Sequence, residues 1–257
     1  MTLLAPHLTA YLHNRLAVER GASPRTCDTY AYAFRLMLTY ASRRFHRAPS
    51  KLELEQLDAA FVADFLRHLK DERGNGPSSR NARLCAIKSF MRFVEYRVPS
   101  ALDQVHRVLA IPLHRTTRQL VAYLDVKEYQ ALLDAPDPRT RLGARDRAIL
   151  HLALAGGLRA SELVGLRHDD LQFADGYLEV HVRGKGRRER VLLLWKEVAR
   201  TLRCWLGLRG TDEGREIFLS ARGGGLSRAG LEYVVKKHAR CAAKTVRSTP
   251  SAMKSAA

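Results

Sequence analysis

One stretch of the chain, YLEVHVRGKGRRERVLLL (177–194), opens with alternating apolar and polar residues at 177–182 and closes with the short apolar run VLLL, whereas most other apolar residues recur every three or four positions. YLEVHV and RVLLL read as two strands joined by a turn at RGKGRR, with glycines that let the backbone double back. A single hairpin among helical patterns makes the fold class α+β, mostly helical. The first hundred residues carry four helical segments. Leu8, Tyr11, Leu12 and Leu16 line the first, and Ser23-Pro24 opens the second as a cap followed by proline. Asp58 precedes the third, which closes at Gly74, and RNARLCAIKSFMRFVEYR forms the fourth. Short loops make this a small four-helix bundle.

Pro99 ends the fourth helix, and the mixed, weakly periodic segment after it reads as an interdomain connection. The expected organisation is a helical domain over 1–105, a linker over 106–122, a mixed domain over 123–244 and an unstructured tail over 245–257. In the second domain Asp125 with Glu128 forms a capping box, and RLGARDRAILHLALAGG is an amphipathic helix stopped by its glycines. The short helix ASELVGL, the hairpin, a helix near WKEVARTLRCWLGL, the apolar run EIFLS and a last helix SRAGLEYVVKKHARCAA follow.

Charge narrows the partner. Lysine and arginine total 44 against 26 acids, a net charge of +18, spread over both halves of the chain. Such a field draws polyanions, with nucleic acid foremost. Two places concentrate it. In GGLRASELVGL, Arg159 opens a short helix three residues ahead of Glu162, where unpaired backbone N–H groups suit a phosphate. In the hairpin, Arg183, Lys185, Arg187, Arg188 and Arg190 face a lone acid, Glu189, and Lys185 at the tip is a mobile point charge and proton donor. Either could be surface decoration alone; their pairing in order is more specific.

RDRAILHLALAGGLRASELVGLRHDDL followed by LEVHVRGKGRRERVLLL resembles the catalytic domain of the tyrosine recombinases, the phage-integrase family. SPRTCDTYAYAFRLML and NARLCAIKSFMRFV resemble that family's SAM-like core DNA-binding domain, so the likeness covers nearly all of 8–243. The resemblance implies strand exchange on double-stranded DNA without metal or cofactor. A tyrosine attacks the scissile phosphodiester, forms a 3′-phosphotyrosyl link and releases a 5′-hydroxyl that later reverses the step on a new strand. Arg159 matches the arginine that stabilises the nonbridging oxygens, Lys185 matches the lysine that protonates the leaving oxygen, and Glu162 would hold the Arg159 fork. Arg80, Arg83, Lys88 and Arg92 match a segment near the DNA major groove, with Arg183, Arg187 and Arg188 as further DNA contacts. A homo-oligomer, the family's tetramer on DNA, is also implied.

The family further requires H-x-x-R and a tyrosine downstream of the lysine. None of the ten histidines has an arginine three residues later. The only tyrosine past Lys185 is Tyr233, whose helical spacing reads as core. The likeness runs to Lys244 and gives way to TVRSTPSAMKSAA, so the sequence reads as a truncated or frame-shifted member with an incomplete catalytic domain, expected not to cleave alone. The alternative is a working DNA-binding module that occupies recombination sites or joins intact protomers without cutting. An RNA-binding reading has no aromatic stacking motif behind it.

Remaining features read structurally. Trp195 and Trp205 are packing residues, His168-Asp169-Asp170 caps a helix end rather than holding a metal, and His181 carries no signal. The scattered Cys27, Cys85, Cys204 and Cys241 read as reduced, mostly buried thiols. With no signal peptide and no apolar run of membrane-spanning length, a soluble, cytoplasmic protein is expected.

Overall fold

Ser23 accepts a hydrogen bond from the Thr26 N–H, and Pro24 fills the first helical position, where a missing N–H costs nothing. That local chemistry starts the longest helix of the first of two compact units, 1–120 and 121–257. The computed structural model describes residues 2–116, 123–184, 189–210 and 214–248.

The first unit is helical. Helix α1 (Leu4–Ala10) runs into a π-helical segment, Tyr11–Glu19. The wider turn brings residues five apart onto one side, and Tyr11 and Leu16 are both buried there. Helices α2 (Pro24–Phe45), α3 (Ala59–Asp71) and α4 (Pro77–Glu95) follow. Asp58 caps α3 by accepting from the Phe61 N–H at 2.7 Å, and Gly74, at φ 61°, turns the chain after it. Edge-to-face contacts among Tyr11, Phe34 and Phe90 fill the core.

A fifth helix, α5 (Leu102–Ala110), buries Val105 and Val108 against α3 and α4. This corrects the expected linker at 106–122, whose first residues belong to the bundle. Two buried valines three apart are too short a pattern to stand out in sequence, but the core offers them a face.

The second unit begins with α6 (Val126–Asp134), capped reciprocally by Asp125 and Glu128 as the sequence indicates. Helix α7 (Arg141–Gly156) ends at Gly157, whose φ of 56° is the left-handed conformation that suits glycine. It is not simply amphipathic: Arg145, Asp146 and His151 are buried along with Ile149 and Leu152, and both α6 and the later helix Lys196–Arg209 pack against it. At its start a Cβ on Gly143 would lie 1.9 Å from the Asp137 carbonyl oxygen, so only glycine fits.

Helix α8 (Ala160–Val164) leads to a three-stranded antiparallel sheet in the order β1 (Leu171–Ala174), β2 (Tyr177–Arg183), β3 (Glu189–Trp195). Strand β1 adds a second hairpin to the one that the sequence pattern indicates: Ala174 pairs with Tyr177 across Asp175-Gly176, a strong turn signal. Leu178, Val180 and Val182 of β2 face the core. Opposite them on β3 stand Leu194, Leu192 and Arg190. The run EIFLS makes isolated bridges rather than a strand.

Helices α9 (Lys196–Arg209) and α10 (Arg228–Ser248) complete the unit. Helix α10 continues past Lys244, which corrects the start of the expected tail; residues 249–257 lie outside the described ones. Among the described residues no helix is long and apolar enough to cross a membrane.

Candidate DNA phosphate site

The alternation of β3 puts Arg190 on the same face as Leu192 and Leu194, partly exposed at the edge of the core. Its partner is Glu162 on α8. Arg190 donates from Nη2 to Oε2 at 2.8 Å and from Nη1 to Oε1 at 3.3 Å. Arg159 approaches the same carboxylate, donating its backbone N–H to Oε2 at 3.0 Å and Nη1 to Oε1 at 2.8 Å. Only 4% of the Glu162 side chain is exposed, against 66% of the Arg159 side chain. The hydrogen bonds from Arg190, with those from Arg159, hold the Glu162 carboxyl down at about 2 despite its burial. A fixed anion thus anchors one guanidinium that remains open to solvent. Sequence pairs Arg159 with Glu162 but does not reveal Arg190 as the second partner.

The free helix N-terminus expected to receive an anion is not open. Helix α8 has five residues, and Glu162 folds back onto the Arg159 N–H. The exposed cationic group at this end of α8 is the Arg159 guanidinium.

Arg183, at the end of β2, is exposed and lies 3.4 Å from Asp170 and 3.9 Å from Glu189, its cross-strand neighbour. Asp170 also accepts the Arg167 N–H at 2.9 Å, which makes the His168-Asp169-Asp170 segment a capped turn, as the sequence suggests. A cavity of about 220 Å³ lies beside Glu162, Arg167, Asp170 and His181. His181 also borders a second cavity, of about 310 Å³, with Arg183 and Arg190. Its Nε2 is buried without a hydrogen-bond partner. Lys185, Arg187 and Arg188 lie outside the described residues.

In the first unit, Arg80, Arg83, Lys88 and Arg92 all sit on α4. They do not form one row: Arg83 and Lys88 are five residues apart, about 140° around a helix with 3.6 residues per turn. Arg83 lies over the Tyr32 ring, 4.8 Å from its centroid. Arg80 Nη1 and Arg83 Nε are buried without hydrogen-bond partners, and burial lowers the Arg80 pKa. Arg92 is exposed.

Several residues depart from expectation. Tyr233 is 69% exposed on α10 rather than in the core. Trp205 is buried and donates to the Ile217 carbonyl at 2.9 Å, but Trp195 precedes α9 and is 76% exposed. The cysteines are free, yet three are exposed and Cys27 is half-buried, so they are not the core thiols their apolar character suggests. A buried cluster that local reading cannot reveal joins α7 to α10. Asp146 receives two bonds from Arg145, at 3.0 and 2.7 Å, and pairs with His238 Nε2 at 2.8 Å. Among the described residues no group of three or more His, Cys, Asp or Glu is arranged to hold a metal.

Residues 122–254 match the model of the phage integrase family, and residues 8–97 match the phage integrase N-terminal SAM-like domain. The chain is 43% identical over 235 residues to the putative integrase/recombinase y4rC of Sinorhizobium fredii, an alignment covering 91% of this chain and 70% of that protein. It is 33% identical over 262 residues to tyrosine recombinase XerC of Myxococcus xanthus, covering 99% of this chain and 83% of the relative. In fold it is similar to a lambda integrase dimer bound to a COC′ core site, with a TM-score of 0.65 and 18% identity over 94% of this chain and 82% of the other. The mostly helical architecture with its small sheet agrees with the fold class read from sequence, and the matches over both units show that this chain belongs to the phage integrase family.

Proposed function

We propose that this chain serves site-specific DNA recombination or integration, binding duplex DNA through both units, with Arg159 as a phosphate clamp and Lys185 as a proton donor to the leaving 5′-oxygen. The carrying observation is the Arg159–Glu162–Arg190 arrangement, which holds a two-thirds exposed guanidinium on a buried carboxylate. A guanidinium can give two parallel hydrogen bonds to phosphate oxygens, and a fixed donor aimed at developing charge lowers a barrier by about 3–4 kcal/mol. The helical domain, with Arg80, Arg83, Lys88 and Arg92, and the hairpin, with Arg183, Arg187 and Arg188, supply further DNA contacts. Assembly as a homo-oligomer on DNA and a cytoplasmic location accompany this reading, and no cofactor is required by phosphotyrosyl exchange.

A second reading, binding without cutting, concerns these residues taken alone. Within these 257 residues no histidine is followed by arginine at the third position, and Tyr233 is the only tyrosine after Lys185. One experiment addresses both readings: incubate the purified chain with nicked and intact duplexes over a salt series, then denature. We expect binding that weakens steeply with salt, the logarithmic slope scaling at about −0.9 per phosphate neutralised, and no covalent band from these residues alone. Salt-independent affinity would refute the DNA role. A denaturant-stable protein–DNA band would refute the non-cutting reading.

A further inference from the structure

We infer that Arg190 is a positioning residue that neutralises Glu162, leaving the charge of Arg159 available to a DNA phosphate. This rests on the proposed role of Arg159. Charge accounting carries it. Arg159 and Glu162 alone would form a closed ion pair with no net charge, a poor ligand for an anion. Arg190 donates to both oxygens of the carboxylate, so the three side chains together present one net positive charge. The exposed member is Arg159, at 66%, whereas Arg190 is 37% exposed and turned onto Glu162.

Topology adds a second consequence. Arg190 lies two residues beyond the end of the 185–188 segment that carries Lys185, and opposite Val182 in the strand register. Glu162 therefore ties α8 to the first residues of β3, at the end of the β2–β3 pair opposite Tyr177 and Trp195. One carboxylate holds both the Arg159 side chain and the strand that follows the segment carrying Lys185 in sequence. A buried charge with a partner on each side also resists reorganisation when an anion arrives.

The test uses the full chain and a short blunt duplex of mixed sequence, with affinity measured over a salt series. Arg159→Ala should flatten the logarithmic salt slope by about 0.9, the loss of one phosphate contact. Arg190→Met should flatten it by a similar amount although Arg159 is intact, because Arg159 collapses onto Glu162. Arg190→Lys should stay near the parent. The decisive variant is Arg190→Met combined with Glu162→Gln, which restores one net positive charge and should restore the slope. If Arg190 were only a fold-stabilising residue or a direct DNA contact, the second substitution would not rescue the first, and the inference would fall. An unchanged slope in Arg190→Met, with Arg159→Ala impaired, overturns the inference and leaves the clamp standing. An unchanged slope in Arg159→Ala overturns the clamp and the inference with it. Amide exchange in α8 and β3 confirms that each variant is folded before its slope is read.

Discussion

The two units bury different things. Every charged or histidine side chain that is buried as a whole among the described residues (Arg145, Asp146, His151, Glu162, Asp170, Arg209 and His238) lies in 121–257, whereas 1–120 buries apolar side chains with Tyr11 and only single polar atoms of residues such as Arg80 and Arg83. Regular structure explains the contrast. Helices of the first unit satisfy their own backbone groups and need only apolar faces to pack. The second unit threads irregular chain past its core, and the carbonyls there need donors. Arg145 gives Nη1 to the Leu219 carbonyl at 2.7 Å. Arg209 donates to the carbonyls of Gly210, Gly214 and Glu216, and Trp205 to that of Ile217. Buried charge in this unit substitutes for missing strands and, at Glu162, fixes a side chain that faces solvent.

The largest effects are expected at one buried residue in each unit. Asp146→Ala removes the acceptor of Arg145 and His238, and leaving a buried guanidinium uncompensated costs about 3–5 kcal/mol. Phe90→Ala in the first unit should cost about as much, 3–5 kcal/mol, through a cavity instead. Amide exchange should place each loss in its own unit; equal loss of protection in both would end the contrast. Next is Gly143→Ala, whose methyl meets backbone at Asp137, and displacing it should lower the melting temperature of the second unit by an amount worth about 1–3 kcal/mol.

Acid provides a gentler probe. Burial lowers the pKa of His151 from its ordinary 6.5, so the folded state favours the neutral ring and the unfolded chain takes up the proton more readily. Its contribution is complete above pH 6.5 and is lost as pH falls through the depressed value. Denaturant titrations should find the second unit weakening below that pH, with a shallower dependence in His151→Leu; an identical pH profile in the variant would remove His151 as the cause. The smallest effects belong to caps present in both units. Asp58→Ala and Asp125→Ala should each cost about 1 kcal/mol, because the same side-chain to backbone bond is lost in either setting. A large difference between them would show that the units differ even at their helix ends.

Features that span only a few residues are legible in the sequence. Ser23-Pro24, Asp58, Asp125 with Glu128, and Gly157 mark helix ends through bonds closed within one turn, and the alternation of 177–182 marks β2. It also singled out Arg159 with Glu162, three positions apart. Tertiary structure alone decided which charges meet across distance: Arg190 with Glu162 over 28 positions, and His238 with Asp146 over 92. It likewise decided that Tyr233 and Trp195 face solvent while Val105 and Val108 do not. The reason is physical. A cap or a turn is set by backbone geometry within reach of its own side chains, whereas the burial and pairing of a charge depend on which surfaces the packed elements bring together.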